Sequence, residues 1–432
     1  MMKLTKLFEK PGEERLAPVG LHHFRRDDSR MHLRVEPDGN GVLVVNAANL
    51  IRLNPTGSDC VWLLLSGCDE KEAASRLARR YGLSKKKALA DYHGFRLDLE
   101  AVISGEKVVL EVEEIPDSMP SAPYRADLAL TYRCNVACGH CYKGDRKVPE
   151  LDTESWKKII NTLADAGVPQ VVFTGGESVL RDDLPELVYH AECLGLITGL
   201  LTNGVALAHP DTVDSLREAG LDYVQVTLES GEPEAHNRMV GAETWEKTVQ
   251  GIRNSLAAGF HTVTNTTITE DNRDTVLSVP GFVAGLGVAA AAFNTIICSG
   301  HSSGGEKSLS EDALEGLLLE LKEACDARGL RMLWYSPTMY CHLDPEQLDL
   351  GQRRCTAASM NICVEPDGTV LPCQSWFQGA GNLLTDDWNL IWNSVLFQSI
   401  RNRDYLPVKC RECIEFEVCG GGCPLSRGEG KE

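Results

Sequence analysis

The chain has 432 residues, enough for two or three domains, and carries 43 Lys and Arg against 62 Asp and Glu, a formal charge of −19. So acidic a balance speaks against nucleic acid as a partner, because phosphate binding needs concentrated positive charge. Sixteen cysteines would suggest disulfides in a small secreted protein. Residues 1–14, however, have no apolar signal core or Arg-rich amphipathic pattern, and nothing later is apolar enough to span a bilayer. A cytoplasmic protein whose cysteines bind metal is therefore expected.

In chain order, residues 20–114 form a first unit. Strands are expected over 31–35, 41–45 and 50–53, joined by turn-like Pro37-Asp38-Gly39 and Asn46-Ala47-Ala48-Asn49. Asn54-Pro55-Thr56-Gly57 opens a helix running towards Leu65, with proline near its first turn. Asp69-Glu70 opens a second, with Ala73, Ala74, Leu77 and Ala78 on one face and a stop at Gly82; Ser84 starts a third that ends near Ile103. Three strands before three helices, with Leu53-Asn54-Pro55 at the junction and Tyr81-Gly82-Leu83 after the second helix, resemble the winged-helix-like α+β peptide-recognition domain of pyrroloquinoline-quinone-type systems. That resemblance implies docking of an extended leader peptide on the sheet edge. A packing module is the plainer alternative, and a DNA-binding winged helix would need a basic face that this segment lacks. The acidic, proline-rich stretch 111–123 reads as a linker.

From 124 to 336, strands are expected over 128–132, 170–173, 198–202, 223–228, 262–268 and 293–297. Helices are expected over 153–166, 182–194, 210–219, 244–258, 272–284 and 311–328. The alternation argues for a parallel sheet with helices outside and chemistry at the carboxyl ends of its strands. There the sequence places Cys134, Cys138 and Cys141 at C-x3-C-x2-C spacing, then Gly175-Gly176-Glu177 after the next strand. Three thiolates leave one iron of a four-iron cubane without a protein ligand. Zinc would need a fourth donor, which His140 could provide.

The two motifs together, in this order on consecutive strand ends, resemble the radical S-adenosylmethionine (SAM) superfamily. The resemblance implies a partial (β/α)6 barrel, a [4Fe–4S] cluster on Cys134, Cys138 and Cys141, and SAM chelated by the open iron. Gly175, Gly176 and Glu177 would position the SAM amino group, the glycines allowing close backbone approach. Tyr142, Asn203, Thr227 and Glu229 fall at family contact positions, although relatives more often carry Ser and Asp where this chain has Thr227 and Glu229. One electron from the cluster would split SAM into methionine and a 5′-deoxyadenosyl radical that takes hydrogen from substrate, the cofactor carrying the chemistry and the protein orienting it. Cys60, Cys68, Cys193, Cys298 and Cys325 stand at isolated spacings and are assigned no role.

Past residue 337 the cysteines crowd. Cys355, Gly368 and Cys373 fit C-x12-G-x4-C, and Cys410, Cys413, Cys419 and Cys423 fit C-x2-C-x5-C-x3-C. A zinc ribbon would explain the C-x2-C part alone. Together the two groups resemble the SPASM domain, which holds auxiliary iron–sulfur clusters in radical SAM maturases. The stretch 364–373 matches a hairpin whose turn presents a ligand. The resemblance gives Cys355, Cys373 and Cys423 to an inner cluster and Cys410, Cys413 and Cys419 to an outer one. A last cysteine of the full pattern is missing, so Cys341 and Cys363 are the candidates to complete both sets.

The expected function is that of a pyrroloquinoline-quinone-biosynthesis-type maturase acting on a ribosomal peptide or cofactor precursor, fed by reduced ferredoxin or flavodoxin. Two alternatives accompany it: a tetrapyrrole or tungsten-oxidoreductase cofactor maturase, and a non-catalytic iron–sulfur scaffold or redox regulator. Gln374 directly follows Cys373 where sulfatase-maturing relatives have an acidic base, and an amide cannot do that work.

Overall fold

The computed structural model describes residues 15–26, 29–46, 49–104 and 119–426. The expected linker 111–123 lies outside them as far as residue 118, as do residues 1–14 and positions 47–48 of the expected turn. The chain divides into two compact units, 1–121 and 122–432. Among the described residues no helix is long and apolar enough to cross a membrane.

The first unit pairs a four-stranded antiparallel meander, β1 (Gly20–Arg26), β2 (Ser29–Val35), β3 (Gly41–Val45) and β4 (Asn49–Leu53), with helices α1 (Pro55–Leu65), α2 (Glu70–Tyr81) and α3 (Lys85–Ile103). Its helix ends follow local chemistry. The Asn54 side chain accepts from Gly57 N at 2.8 Å, Asp69 accepts from Lys71 N and Glu72 N, and Gly82 closes α2 in the left-handed region. Strand β1 was not expected. Its sequence carries two histidines and two arginines, and what makes it a strand is the ladder from Gly20↔Val35 to Arg26↔Ser29 at the sheet's outer edge.

The second unit is built on one ten-stranded sheet. Strands β5 (Arg125–Thr131), β6 (Gln170–Gly175), β7 (Ile197–Thr202), β8 (Tyr223–Thr227), β9 (His261–Ile268), β10 (Ala290–Thr295) and β11 (Arg331–Trp334) lie side by side in chain order, all parallel. Helices α4 (Thr153–Asp165), α5 (Leu184–Cys193), α6 (Pro210–Glu218), α7 (Pro233–Val240), α8 (Trp245–Ala257), α9 (Ser278–Leu286) and α10 (Glu311–Asp326) connect them. Apolar faces such as Trp156, Ile159, Ile160 and Leu163 of α4 are fully buried.

Two elements differ from expectation, and among the boundaries one helix start differs most. Helix α7 and strand β11 were not foreseen. The helix expected over 272–284 begins only at Ser278, because Asn272 is spent elsewhere. Its amide donates to the carbonyls of Glu229 and Thr267, and its oxygen accepts from Thr269 N, tying two strand ends together.

The cysteine-rich tail continues the same sheet. Strand β12 (Asn361–Val364) runs parallel to β5 on its free edge, followed by antiparallel β13 (Thr369–Leu371) and β14 (Gly381–Asn382). The hairpin's turn, with Gly368 at φ +88°, lies at one end, whereas Cys373 follows β13 at the other. The strand exit and not the turn therefore presents this cysteine.

Candidate active site

The three-cysteine loop leaves β5 at Thr131 and is held from two sides. Ala137 N donates to Val240 O at 2.9 Å and Gly139 N to Met239 O at 3.2 Å, so the last turn of α7 supports its middle. Gly241, at φ +66°, lets the chain pass there, since a Cβ would stand 2.6 Å from the Ala137 carbonyl oxygen. From the other side His301 N donates to Cys141 O at 3.0 Å. Pro233 at the first turn of α7 and Gly241 after its end were the sequence signal that could have revealed this helix.

Gly175 and Gly176 are glycines because of β5, whatever they do for a ligand. A Cβ on Gly175 (φ +136°) would lie 2.1 Å from the Thr131 carbonyl oxygen, and one on Gly176 2.2 Å from that of Arg133. The approach is zipped by Gly176 N donating to Thr131 O at 2.7 Å and Glu177 N to Arg133 O at 2.8 Å. Tyr142 OH reaches Gly175 O at 3.4 Å, so the cysteine loop and the glycine pair are held as one piece.

Glu177 is fully buried, and its carboxylate accepts from Thr202 Oγ1 (3.0 and 2.9 Å), Asn203 N (2.8 Å) and Val179 N (3.3 Å). Burial pushes its carboxyl up to about 6, while those hydrogen bonds favour the charged form. Its side chain thus braces the end of β6 against the end of β7. Asn203 turns towards the cysteine loop, donating to Asn135 Oδ1 at 2.7 Å and lying 3.9 Å from Cys134 Sγ. Thr227 ends β8, in register with Asn265 of β9.

Glu229 is also fully buried, and both of its oxygens are engaged by protein. Oε1 meets His140 Nε2 at 2.9 Å and Oε2 accepts from Thr267 N at 2.8 Å. Burial disfavours the imidazolium, but the Glu229 charge and hydrogen bond outweigh it and raise the His140 pKa. Instead of serving as a fourth zinc donor, His140 anchors the loop to β8 and β9. Glu229→Ala should strand that imidazole and the Thr267 amide, costing about 3 kcal/mol in chemical denaturation, with Glu229→Gln losing less. Equal stability of Glu229→Ala and the parent would contradict this anchoring role.

The tail cysteines fall into two groups. Burial raises the Cys341 thiol, and so do Cys419, Cys410 and Cys413, which therefore lie within electrostatic reach. Tyr340 N also points at Cys419 Sγ at 3.4 Å. Burial pushes Cys355 up to about 12 and Cys373 up to about 11, and Cys423 adds to both shifts. Cys363 does not join them in an open loop. It sits inside β12, opposite Asp127 and Leu371, in an apolar cluster with Ala129, Tyr132 and Leu371. Gln374 donates to Asp127 Oδ2 at 2.6 Å, and Arg125 occupies the other oxygen.

The donor chemistry suits clusters. Burial raises the Cys138 thiol, and Glu229, Cys141 and Cys134 raise it further, so thiolates gathered here need a cationic core between them. Among the described residues no three His, Cys, Asp or Glu side chains converge as they would on a single ion. A cubane instead spreads its thiolates over separate irons.

Comparison with known proteins bears directly on this site. Residues 128–279 match the radical SAM superfamily, and residues 355–414 match SPASM, an iron–sulfur cluster-binding domain. The PqqA peptide cyclase of Gluconobacter oxydans is 30% identical over 324 residues, 71% of this chain and 87% of that protein. The chain belongs to the radical SAM superfamily. As a radical SAM enzyme with a SPASM domain, it uses SAM, a [4Fe–4S] cluster and auxiliary iron–sulfur clusters. The fold of this radical SAM protein is similar to that of Streptococcus suis SuiB, solved bound to the precursor peptide SuiA: TM-score 0.67, 16% identity, 94% of this chain and 96% of that one. It is also similar to anSMEcpe solved with AdoMet and a peptide, at TM-score 0.57 and 16% identity over 70% of this chain and 90% of that one.

Proposed function

We propose that this enzyme modifies a ribosomally made precursor peptide, oxidising or cross-linking it. The observation that carries the reading is the four-stranded sheet of the first unit, whose outer strands β1 and β4 pair on one side only among the described residues, joined in one chain to a radical SAM/SPASM unit whose relatives include PqqA peptide cyclases. The similarity to SuiB extends over 94% of the chain and so takes in both units. Residues 20–114 act as the peptide-recognition domain, 124–336 as the catalytic barrel and 337–432 as the auxiliary-cluster domain. An extended segment of the precursor adds to an outer strand, where main-chain hydrogen bonds supply affinity. The covalent tether then raises the local concentration of the docked peptide at the barrel.

Cys134, Cys138 and Cys141 would hold the [4Fe–4S] cluster, and Gly175, Gly176, Asn203 and Thr227, at neighbouring strand ends, would line the place of SAM. When bound, these groups supply reductive SAM cleavage and a 5′-deoxyadenosyl radical that abstracts hydrogen from substrate. Glu177 and Glu229 hold the frame: the first locks β6 to β7, the second locks the cysteine loop to β8 and β9. Burial raises the Cys134 and Cys138 thiols, which would give up their protons on ligation. A reduced ferredoxin or flavodoxin in the cytoplasm delivers the electron.

The test is anaerobic turnover of the reconstituted full chain with SAM, dithionite and synthetic copies of the short peptides encoded beside its gene. The expected result is 5′-deoxyadenosine together with a peptide that has lost hydrogen in pairs. Turnover only with a porphyrin, or SAM cleavage that no peptide accelerates, would overturn the peptide reading.

A further inference from the structure

Cys298 looked isolated in the sequence, yet the fold carries it to the tail. It lies in the loop after β10, at the carboxyl end of the parallel strands. The next residue, the nearly buried Ser299, donates through Oγ to the carbonyl of Ser375 at 2.8 Å, two positions beyond Cys373. The Cys423 thiol, raised first by burial, is raised also by Cys298, which puts the two sulfurs in electrostatic reach. The loop of Cys298 is thus pinned to the loop after Cys373, with Cys298 in reach of Cys423; Cys355, Cys373 and Cys423 form a group one thiolate short of a complete cubane set.

The other candidates for the missing ligand are less free to reach the set, although Cys363 lies within electrostatic reach of Cys373. Cys363 is locked between β5 and β13 at 1% exposure, among apolar side chains. Cys325 is buried on α10, Cys193 is exposed at the end of α5, and Cys341 lies with Cys410, Cys413 and Cys419.

We propose that Cys298 is the fourth thiolate of the inner auxiliary cluster, completing the set of Cys355, Cys373 and Cys423 from the barrel side. The proposal rests on the auxiliary-cluster reading of the tail but not on the identity of the substrate. It has two consequences. With four protein ligands the inner cluster has no iron open to substrate, so it passes electrons without binding the peptide. The short loop that supplies the ligand also touches the SAM-cluster loop. His301 N donates to Cys141 O, and Gly300 packs so closely that a Cβ would stand 2.3 Å from Tyr142 O. Residues 298–301 therefore tie the inner-cluster ligands mechanically to the three-cysteine loop.

The experiment uses the full chain with Cys134, Cys138 and Cys141 all replaced by alanine, so that only auxiliary clusters remain. This parent, reconstituted anaerobically, should hold about eight irons, and its reduced electron paramagnetic resonance spectrum should not change on adding imidazole. Adding Cys298→Ala should remove about one iron per chain or give a spectrum that shifts with imidazole. Adding Cys298→Ser should keep the iron and lower the midpoint potential of one cluster, which gives a readout if the alanine variant does not fold. Iron content, spectrum and potential unchanged in these variants would overturn the assignment while leaving the two clusters in place. A parent that binds no iron would instead overturn the cluster reading of the tail, and this proposal with it.

Discussion

Cys138→Ala should abolish formation of 5′-deoxyadenosine and remove about four of the roughly twelve irons expected for three cubanes. Cys138 is the middle cysteine of the loop, and its thiol feels burial, Glu229 and both neighbouring cysteines. Alanine leaves two thiolates, too few to hold a core that already has one iron without a protein ligand. The supports of the loop, Val240 and Met239 on one side and His301 on the other, bond to the backbone of residues 137–141 and do not depend on the thiol. The variant should therefore fold, keep its auxiliary iron and lose SAM cleavage alone. Anaerobic iron and sulfide analysis beside a SAM-cleavage assay checks it. Retained turnover would sink the ligand assignment. A non-catalytic scaffold would show no SAM cleavage even in the parent.

Gly176→Ala should lower SAM cleavage by about 10²-fold, although it removes no ligand. The added methyl would meet the Arg133 carbonyl oxygen at 2.2 Å and that of Tyr132 at 2.8 Å, both rigid backbone. To relieve the overlap, β6 must separate from the residues leading into Cys134, which breaks the bonds from Gly176 N and Glu177 N. A displacement of about 1 Å between catalytic parts is enough for a 10²-fold loss. The overpacking should also cost up to about 3 kcal/mol of stability. Gly316→Ala is the control: it lies in α10 with nothing within 4 Å of its Cβ position, and alanine there should stabilise by about 0.5–1 kcal/mol. Denaturant melts of both variants, with SAM cleavage measured alongside, separate backbone collision from a general intolerance of alanine. Full activity in Gly176→Ala would mean that the two strand ends need not meet.

The hairpin of β12 and β13, the residues after it and the loop after β10 are tied to the barrel strands. Tyr132, two residues before Cys134, donates its hydroxyl to Glu365 at 3.0 Å, and Arg146 donates to the same buried carboxylate. Gln374 and Asp127 make a second link, between the loop after β13 and β5. These polar bridges fasten the β5–β12 seam.

Sequence alone determined what local chemistry and spacing can encode. The strand–helix alternation from β5 to α10, the caps at Asn54, Asp69 and Ser84, and the C-x3-C-x2-C and Gly-Gly-Glu motifs are all short-range patterns, and they were legible. Elements whose signal is weak locally were not. Strand β1 exists because β2 pairs with it, and β11 because β10 does. Helix α7 is only eight residues long, yet its last turn supports the cysteine loop. Tertiary structure also decided the partners of the site residues. Nothing in the spacing of His140 and Glu229, 89 positions apart, announces their hydrogen bond. No spacing brings Ser299, next to Cys298, onto Ser375 either. A parallel sheet gathers its strand ends from distant parts of the chain, so such contacts arise only once the strands lie side by side.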